Sequence, residues 1–182
     1  GEAVFTSEYT GITTPGESTV NTDENRVKVY DDLKALDLTS DAVLPKDISV
    51  SYKGIDHVFT GNELIDDVRA EMVDTPDDEY DSALCYGKTS STVDNIIIFD
   101  FWLNSDHTLH KIRMSFATES DCSIFGITKN STPEEMAAIL GTPEVSDRNG
   151  KDQFLDWESD SMSVNAYYYD GVLESIQANF ES

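Results

Sequence analysis

The chain has 182 residues, 12 Lys and Arg against 36 Asp and Glu, and a formal charge of −24 at pH 7. Such a field repels nucleic acid and anionic membrane surfaces and favours solubility and basic partners. Aromatic residues make up 10% of the chain, which excludes global disorder, and the length is sufficient to bury a core.

The chain begins at Gly1 with no Met, basic n-region or apolar h-region, and reads as trimmed, with a targeting segment and a lipid anchor expected on the precursor. No apolar run approaches the ~20 residues of a membrane-spanning helix, so no direct insertion of the mature domain is expected. Residues 2–25 are rich in Ser, Thr, Gly and Glu and suit a tether or an extended strap. In residues 26–38, Val27, Val29, Leu33, Leu36 and Leu38 mix strand and helix spacings, and both readings stay open.

Residues 47–59 alternate around Lys53-Gly54 and predict a hairpin. Thr60-Gly61-Asn62-Glu63 has the spacing of a capping box and predicts a helix over about 60–73, with Leu64, Ile65, Val68 and Met72 on one face. An acidic loop at 77–81, a strand at 83–86 and a polar connection at 88–94 follow. Residues 96–103, IIIFDFWL, form the most hydrophobic predicted strand, and 109–118 return beside it.

The strongest local signal lies at 126–143. Thr132 is the expected N-cap, Pro133 suits the first helical position, and Glu135 can complete a capping box. Met136, Ile139 and Leu140 give an apolar stripe, and Gly141 and Pro143 end the helix. A loop to Asp152, strands at 153–157 and 162–169, an Asp170-Gly171 turn and a strand at 172–180 complete the chain.

The two halves echo one another. Thr60-x-x-Glu63 matches Thr132-x-x-Glu135, and Asp74-Thr75-Pro76 matches Gly141-Thr142-Pro143. Leu109, Ile112 and Phe116 recur at constant spacing as Leu173, Ile176 and Phe180. The expected fold is therefore α+β: a strap at 1–46 and two related helix-plus-antiparallel-sheet modules at 47–120 and 121–182.

This pattern resembles the SmpA/OmlA-like module of bacterial envelope lipoproteins, and a tandem pair resembles the fold of beta-lactamase inhibitor proteins. The resemblance covers roughly residues 47–182. The first half departs from it at Asn62, and at Asp74 where Gly would be expected. The resemblance implies an exported, lipid-anchored, non-catalytic binding or scaffolding module at the cell surface.

Catalytic signatures are absent from the sequence. It has no G-x-S-x-G elbow, Walker loop, G-x-G-x-x-G, H-E-x-x-H or Cys-x-x-Cys. No metal or cofactor is expected, and an Asn-Gly turn explains residues 147–152 better than a calcium loop. Cys85 and Cys122 read as two buried thiols or as a disulfide, with the thiols favoured. The alternative to a binder is a hydrolase or carbohydrate-processing accessory with an acidic cleft.

Alternation nominates a binding face. It sends Ile97, Phe99, Phe101 and Leu103 one way and Ile98, Asp100 and Trp102 the other. Likewise Ile112, Met114 and Phe116 point inward and Lys111, Arg113 and Ser115 outward. Val164, Ala166 and Tyr168 read inward, leaving Asn165, Tyr167 and Tyr169 outward. Trp102, Lys111, Arg113, Tyr167 and Tyr169 are thus the candidate ligand-binding residues, expected in one partly exposed patch that recognises an unidentified protein.

Overall fold

The computed structural model describes residues 17–22, 25–90, 95–116 and 121–181. Strands β1 (Glu17–Thr22) and β2 (Asn25–Tyr30) pair as a hairpin, and a 3-10 turn follows at Leu33–Ala35. Next come β3 (Ile48–Tyr52), β4 (Ile55–Phe59) and helix α1 (Ile65–Met72). Strands β5 (Asp78–Tyr80), β6 (Ala83–Tyr86), β7 (Thr89–Ser90), β8 (Asn95–Ile96), β9 (Phe99–Leu103) and β10 (Leu109–Ser115) complete the first half. The second half holds β11 (Ser123–Ile124), helix α2 (Pro133–Leu140), β12 (Glu144–Asp147), β13 (Asp152–Glu158), β14 (Met162–Tyr169) and β15 (Val172–Phe180). The tether expected before Glu17 and the strand end expected at 117–118 lie outside the described residues.

The expected α+β pair of helix-plus-sheet modules with a strap is overturned. Strands dominate, and the two α-helices have eight residues each. One antiparallel sheet of eight strands runs in the order β12-β13-β14-β15-β10-β9-β6-β5, joining residues from both halves. Its chain order runs inward from each edge and meets at the β10–β15 pair. The physical reason is one-sided burial. Ile112 and Met114 of β10, like Ile176 and Ala178 of β15, face a core, while the ladder edge of each strand needs a partner. Pairing β10 with β15 satisfies both at once.

A three-stranded sheet, β11-β3-β4, lies against the inner face. Tyr52 meets Tyr86 and Phe99 edge-on at 6.1 and 5.8 Å between ring centroids, and Phe59 meets Phe101 at 5.2 Å. Each such pair adds about 0.5–1.5 kcal/mol beyond burial. Helix α2 contributes Pro133, Met136, Ala137 and Leu140 to the core, while Ile139 of the expected stripe is exposed. Trp157 Nε1 donates to Gly141 O at 2.7 Å, fixing the helix end to β13. Gly141 sits at φ 103°, and a Cβ there would lie 2.7 Å from Ala42 O. Only glycine fits.

The coil from Asp31 onward closes the other end of this core. Buried Gln153 accepts from Leu33 N at 2.9 Å and donates to Tyr30 O and Asp31 O. Ile98, expected outward, is buried beside Gly87, because strand β9 begins only at Phe99. The short edge strands β5 and β12 replace expected loops.

The two helix starts differ from each other. At α2, Thr132 Oγ1 accepts from Glu135 N at 3.0 Å and Thr132 N donates to Glu135 Oε1 at 3.4 Å, the expected capping box. At α1 the Thr60 box does not open the helix. Glu63 instead receives Thr60 N and Gly61 N at 2.7 and 2.9 Å, and the helix starts after Leu64, whose N donates to Asp67 Oδ2. Gly61 sits at a non-helical φ of 91°, and glycine is required there because a Cβ would come within 2.8 Å of Phe180. Helix α1 ends on Val73 at φ 62°, a left-handed position that β-branched residues avoid.

Two stability measurements check these ends. Thr132→Ala should lower unfolding free energy by about 1 kcal/mol in chemical denaturation. Val73→Gly should raise it by about 0.5–1 kcal/mol by releasing the strained cap. The opposite signs separate a relaxed helix end from a strained one.

Candidate functional site

The outer face of the eight-stranded sheet is laid out by register. One row, taken from edge to edge, reads Glu144, Asp156, Asn165, Gln177, Arg113, Asp100, Cys85 and Asp78. The next reads Glu158, Ser163, Asn179, Lys111, Trp102, Ala83 and Tyr80. Trp102 and Lys111 are direct cross-strand neighbours, and Arg113 is two residues along β10.

These three side chains form a cluster. Lys111 Nζ lies 4.3 Å from the Trp102 ring centroid and Arg113 Cζ lies 5.4 Å from it. Partly exposed cation–π contacts of this kind contribute about 0.5–1 kcal/mol each. Asp100 is buried and fixes Arg113, accepting from Nη2 at 3.0 Å. It also accepts from Cys85 Sγ at 3.2 Å. Burial first, then Asp100, pushes the Cys85 thiol up to about 12, so it stays protonated and is a hydrogen-bond donor with no nucleophilic character at neutral pH. Lys111 forms no ion pair with the described residues, and its ammonium rests on the indole face with its charge uncompensated.

Tyr167 and Tyr169 share this face but not this cluster. Tyr167 lies three strands and two register rows from Trp102, about 20 Å away at ~4.8 Å per strand and ~3.4 Å per residue. The expected single patch is therefore split. Tyr167 stacks on Phe154 at 5.2 Å and 22°, with Arg148 Cζ 5.0 Å from the Phe154 centroid. Its hydroxyl donates to Asp152, which also accepts from Asn149 Nδ2 at 2.8 Å. Tyr169, at the end of β14, is exposed.

Asp100, Phe154 and Arg148 were not among the sequence-nominated residues. Alternation along β13 would have found Phe154, which lies outward between buried Gln153 and Leu155. Nothing local marks Asp100 as the residue that holds Arg113.

Other nominated groups have structural roles. Asp147 Oδ1 accepts from Asn149 N and Gly150 N, so the 147–152 loop uses its own carboxylate to make its turn. Cys85 and Cys122 are separate buried thiols. His57 is buried with Nδ1 3.2 Å from Glu71 Oε1, while His107 is exposed in a turn at φ 67°. Among the described residues no group of three or more His, Cys, Asp and Glu is placed to hold a metal ion. Among the same residues no helix is long and apolar enough to cross a membrane.

The chain matches no protein-family model, no curated protein and no solved structure.

The Tyr167–Asp152 pair makes a titration prediction. Tyr167 holds Asp152 below the ordinary carboxylate value, and Asp152 pushes Tyr167 up to about 12. The carboxylate's contribution is present above about pH 4 and is lost as pH falls through its lowered pKa. The phenol's contribution is present below about pH 10 and is lost as pH rises through its raised pKa. Tyr167→Phe should move the Asp152 titration, followed by NMR, back up toward that of an ordinary aspartate.

Proposed function

We propose that this chain is an exported, non-catalytic binding or scaffolding module of the bacterial cell envelope, anchored there by lipid. In this reading it recognises a protein through the outer face of its large sheet. The observation that carries it is the Trp102 ring held by Lys111 at 4.3 Å and Arg113 at 5.4 Å, a cationic spot on a chain of charge −24. An aromatic anchor whose neighbours are already fixed loses little entropy when a partner covers it. The local positive charge favours an anionic or polar partner surface and orients its approach. The envelope setting rests on the sequence resemblance to SmpA/OmlA-like modules.

One carboxylate on a surface hollow serves the loop beside it. Asp77, beside Asp121, accepts from Gly87 N at 2.6 Å and Lys88 N at 3.0 Å, so it is spent on holding a loop.

The test compares wild type with Trp102→Ala and with Lys111→Glu in quantitative cross-linking pull-downs from envelope extracts. Each folded variant should recover at least tenfold less of the specific partner, as for an anchor worth ~1.4 kcal/mol or more. In a Trp157→Phe background, the remaining Trp102 emission should be quenched by acrylamide and protected once partner is bound. Equal recovery by folded Trp102→Ala sinks the proposal.

A further inference from the structure

The three-stranded sheet ends in an edge that differs from the others. Among the described residues strand β4 pairs only with β3. Its register begins at Tyr52↔Ile55 across the two-residue Lys53-Gly54 turn, whose φ values of 52° and 78° are those of a type I′ hairpin. In such a hairpin, hydrogen-bonded and non-bonded pairs alternate from the turn. Ile55, His57 and Phe59 bond to β3, so the N–H and C=O of Asp56 and Val58 point away from it. No hydrogen bond within the described residues reaches them.

Proteins blunt such edges by shortness or charge. Strand β5 is three residues long and carries Asp78 and Glu79, and β12 is four residues long and begins and ends on Glu144 and Asp147. The two-residue β11 is closed by the Ile124↔Ile127 bridge. Strand β4 is five residues long, and Ile55 and Val58 are 56% and 55% exposed. Ile55 and His57 line a hollow of about 270 Å³ with Met72 and Val73 of the α1 end. Val73 is 81% exposed and left-handed. Glycine at that position would relieve the backbone, and valine adds apolar surface instead.

We propose that the β4 edge receives an extended segment of a protein partner as an added strand. The unpaired backbone groups of Asp56 and Val58 bind the main chain, and alternate apolar side chains enter the hollow beside Val73. The incoming segment is basic. Asp56 and Glu71 flank the edge, and Lys53, the cation on the hollow, is bonded to Asp74 at 2.6 Å. A second copy would bring Asp56 and a further charge of −24 against the same edge, so it is the wrong occupant.

The probe is a fluorescein-labelled peptide of about ten alternating Val and Lys residues, long enough to span one strand, followed by anisotropy and amide hydrogen exchange. In the free protein the Asp56 and Val58 amides should exchange rapidly, and both should become protected when peptide binds. A version N-methylated at alternate residues keeps the charge and loses the ladder, and should bind about tenfold more weakly or worse. Val58→Lys, a change of an exposed side chain, should weaken binding to a similar degree. Val73→Gly should weaken it about fivefold while stabilising the fold, which a purely structural role would not do. Trp102→Ala should leave binding unchanged, separating this edge from the outer-face site.

The proposal is overturned if the N-methylated peptide binds as well as its parent, which would show charge attraction alone. It is equally overturned if the Asp56 and Val58 amides are protected in the free protein, whether by a second copy or by the chain itself. Unaltered binding by folded Val58→Lys also overturns it.

Discussion

The pairing of β10 with β15 is the interaction on which the rest depends. It aligns Ile112 with Ala178 and Met114 with Ile176 on the inner face, and Lys111 with Asn179 and Arg113 with Gln177 on the outer one. One ladder therefore does two jobs. It makes the apolar sides of both halves a single core, and it makes their polar sides one continuous surface. A half-sheet alone would present its last strand as a bare edge and bury its apolar side only where a helix or the small sheet reaches it. The Trp102 cluster spans the seam strand β10 and its neighbour β9, in the interior of the sheet. A cationic pair placed there keeps its geometry because β9 and β10 each have neighbours on both sides.

The two faces use charge differently. On the outer face of the large sheet, Asp100 is buried and spent on Arg113, so the acid of the pair is hidden and the exposed side chains around Trp102 are cationic. Around β4 the reverse holds, because Lys53 is spent on Asp74 while Asp56 stays exposed. A chain with a uniform excess of acid thus carries local surfaces of opposite character. Exposed pairs such as Lys53–Asp74 contribute little to stability, because solvent screens them. Their consequence is in which charges remain for others to meet.

What was legible in the sequence was local. The Thr132–Glu135 box, the Lys53-Gly54 and Asp170-Gly171 turns and the inward-outward alternation of β10 and β14 depend on residues a few positions apart, and each is present. The merging of two half-sheets depends on Ile112 meeting Ala178, which no local pattern encodes. The Thr60 box does not open the helix, since Gly61, which would be its first helical residue, sits at φ 91°. The edge strands β5 and β12 are short and polar and have no apolar period to read. The site shows the same division. Alternation gave the face of Trp102, Lys111 and Tyr167 correctly, but face is a matter of parity and distance is a matter of strand order. With β10 and β15 between β9 and β14, Tyr167 stands in a different neighbourhood.

Buried Gln153 ties Leu33, Tyr30 and Asp31 to a strand 120 residues further on. Its side chain satisfies backbone groups that would otherwise be buried unpaired, so the coil after β2 has no stable seat until β13 exists. During synthesis this coil must therefore wait for β13, and closure of so long a loop slows folding. A chain that cannot close early remains unfolded for longer, with its seam strands β10 and β15 not yet joined in the interval. Its excess of negative charge then acts in time rather than space, keeping those unfinished chains apart until the sheet is complete.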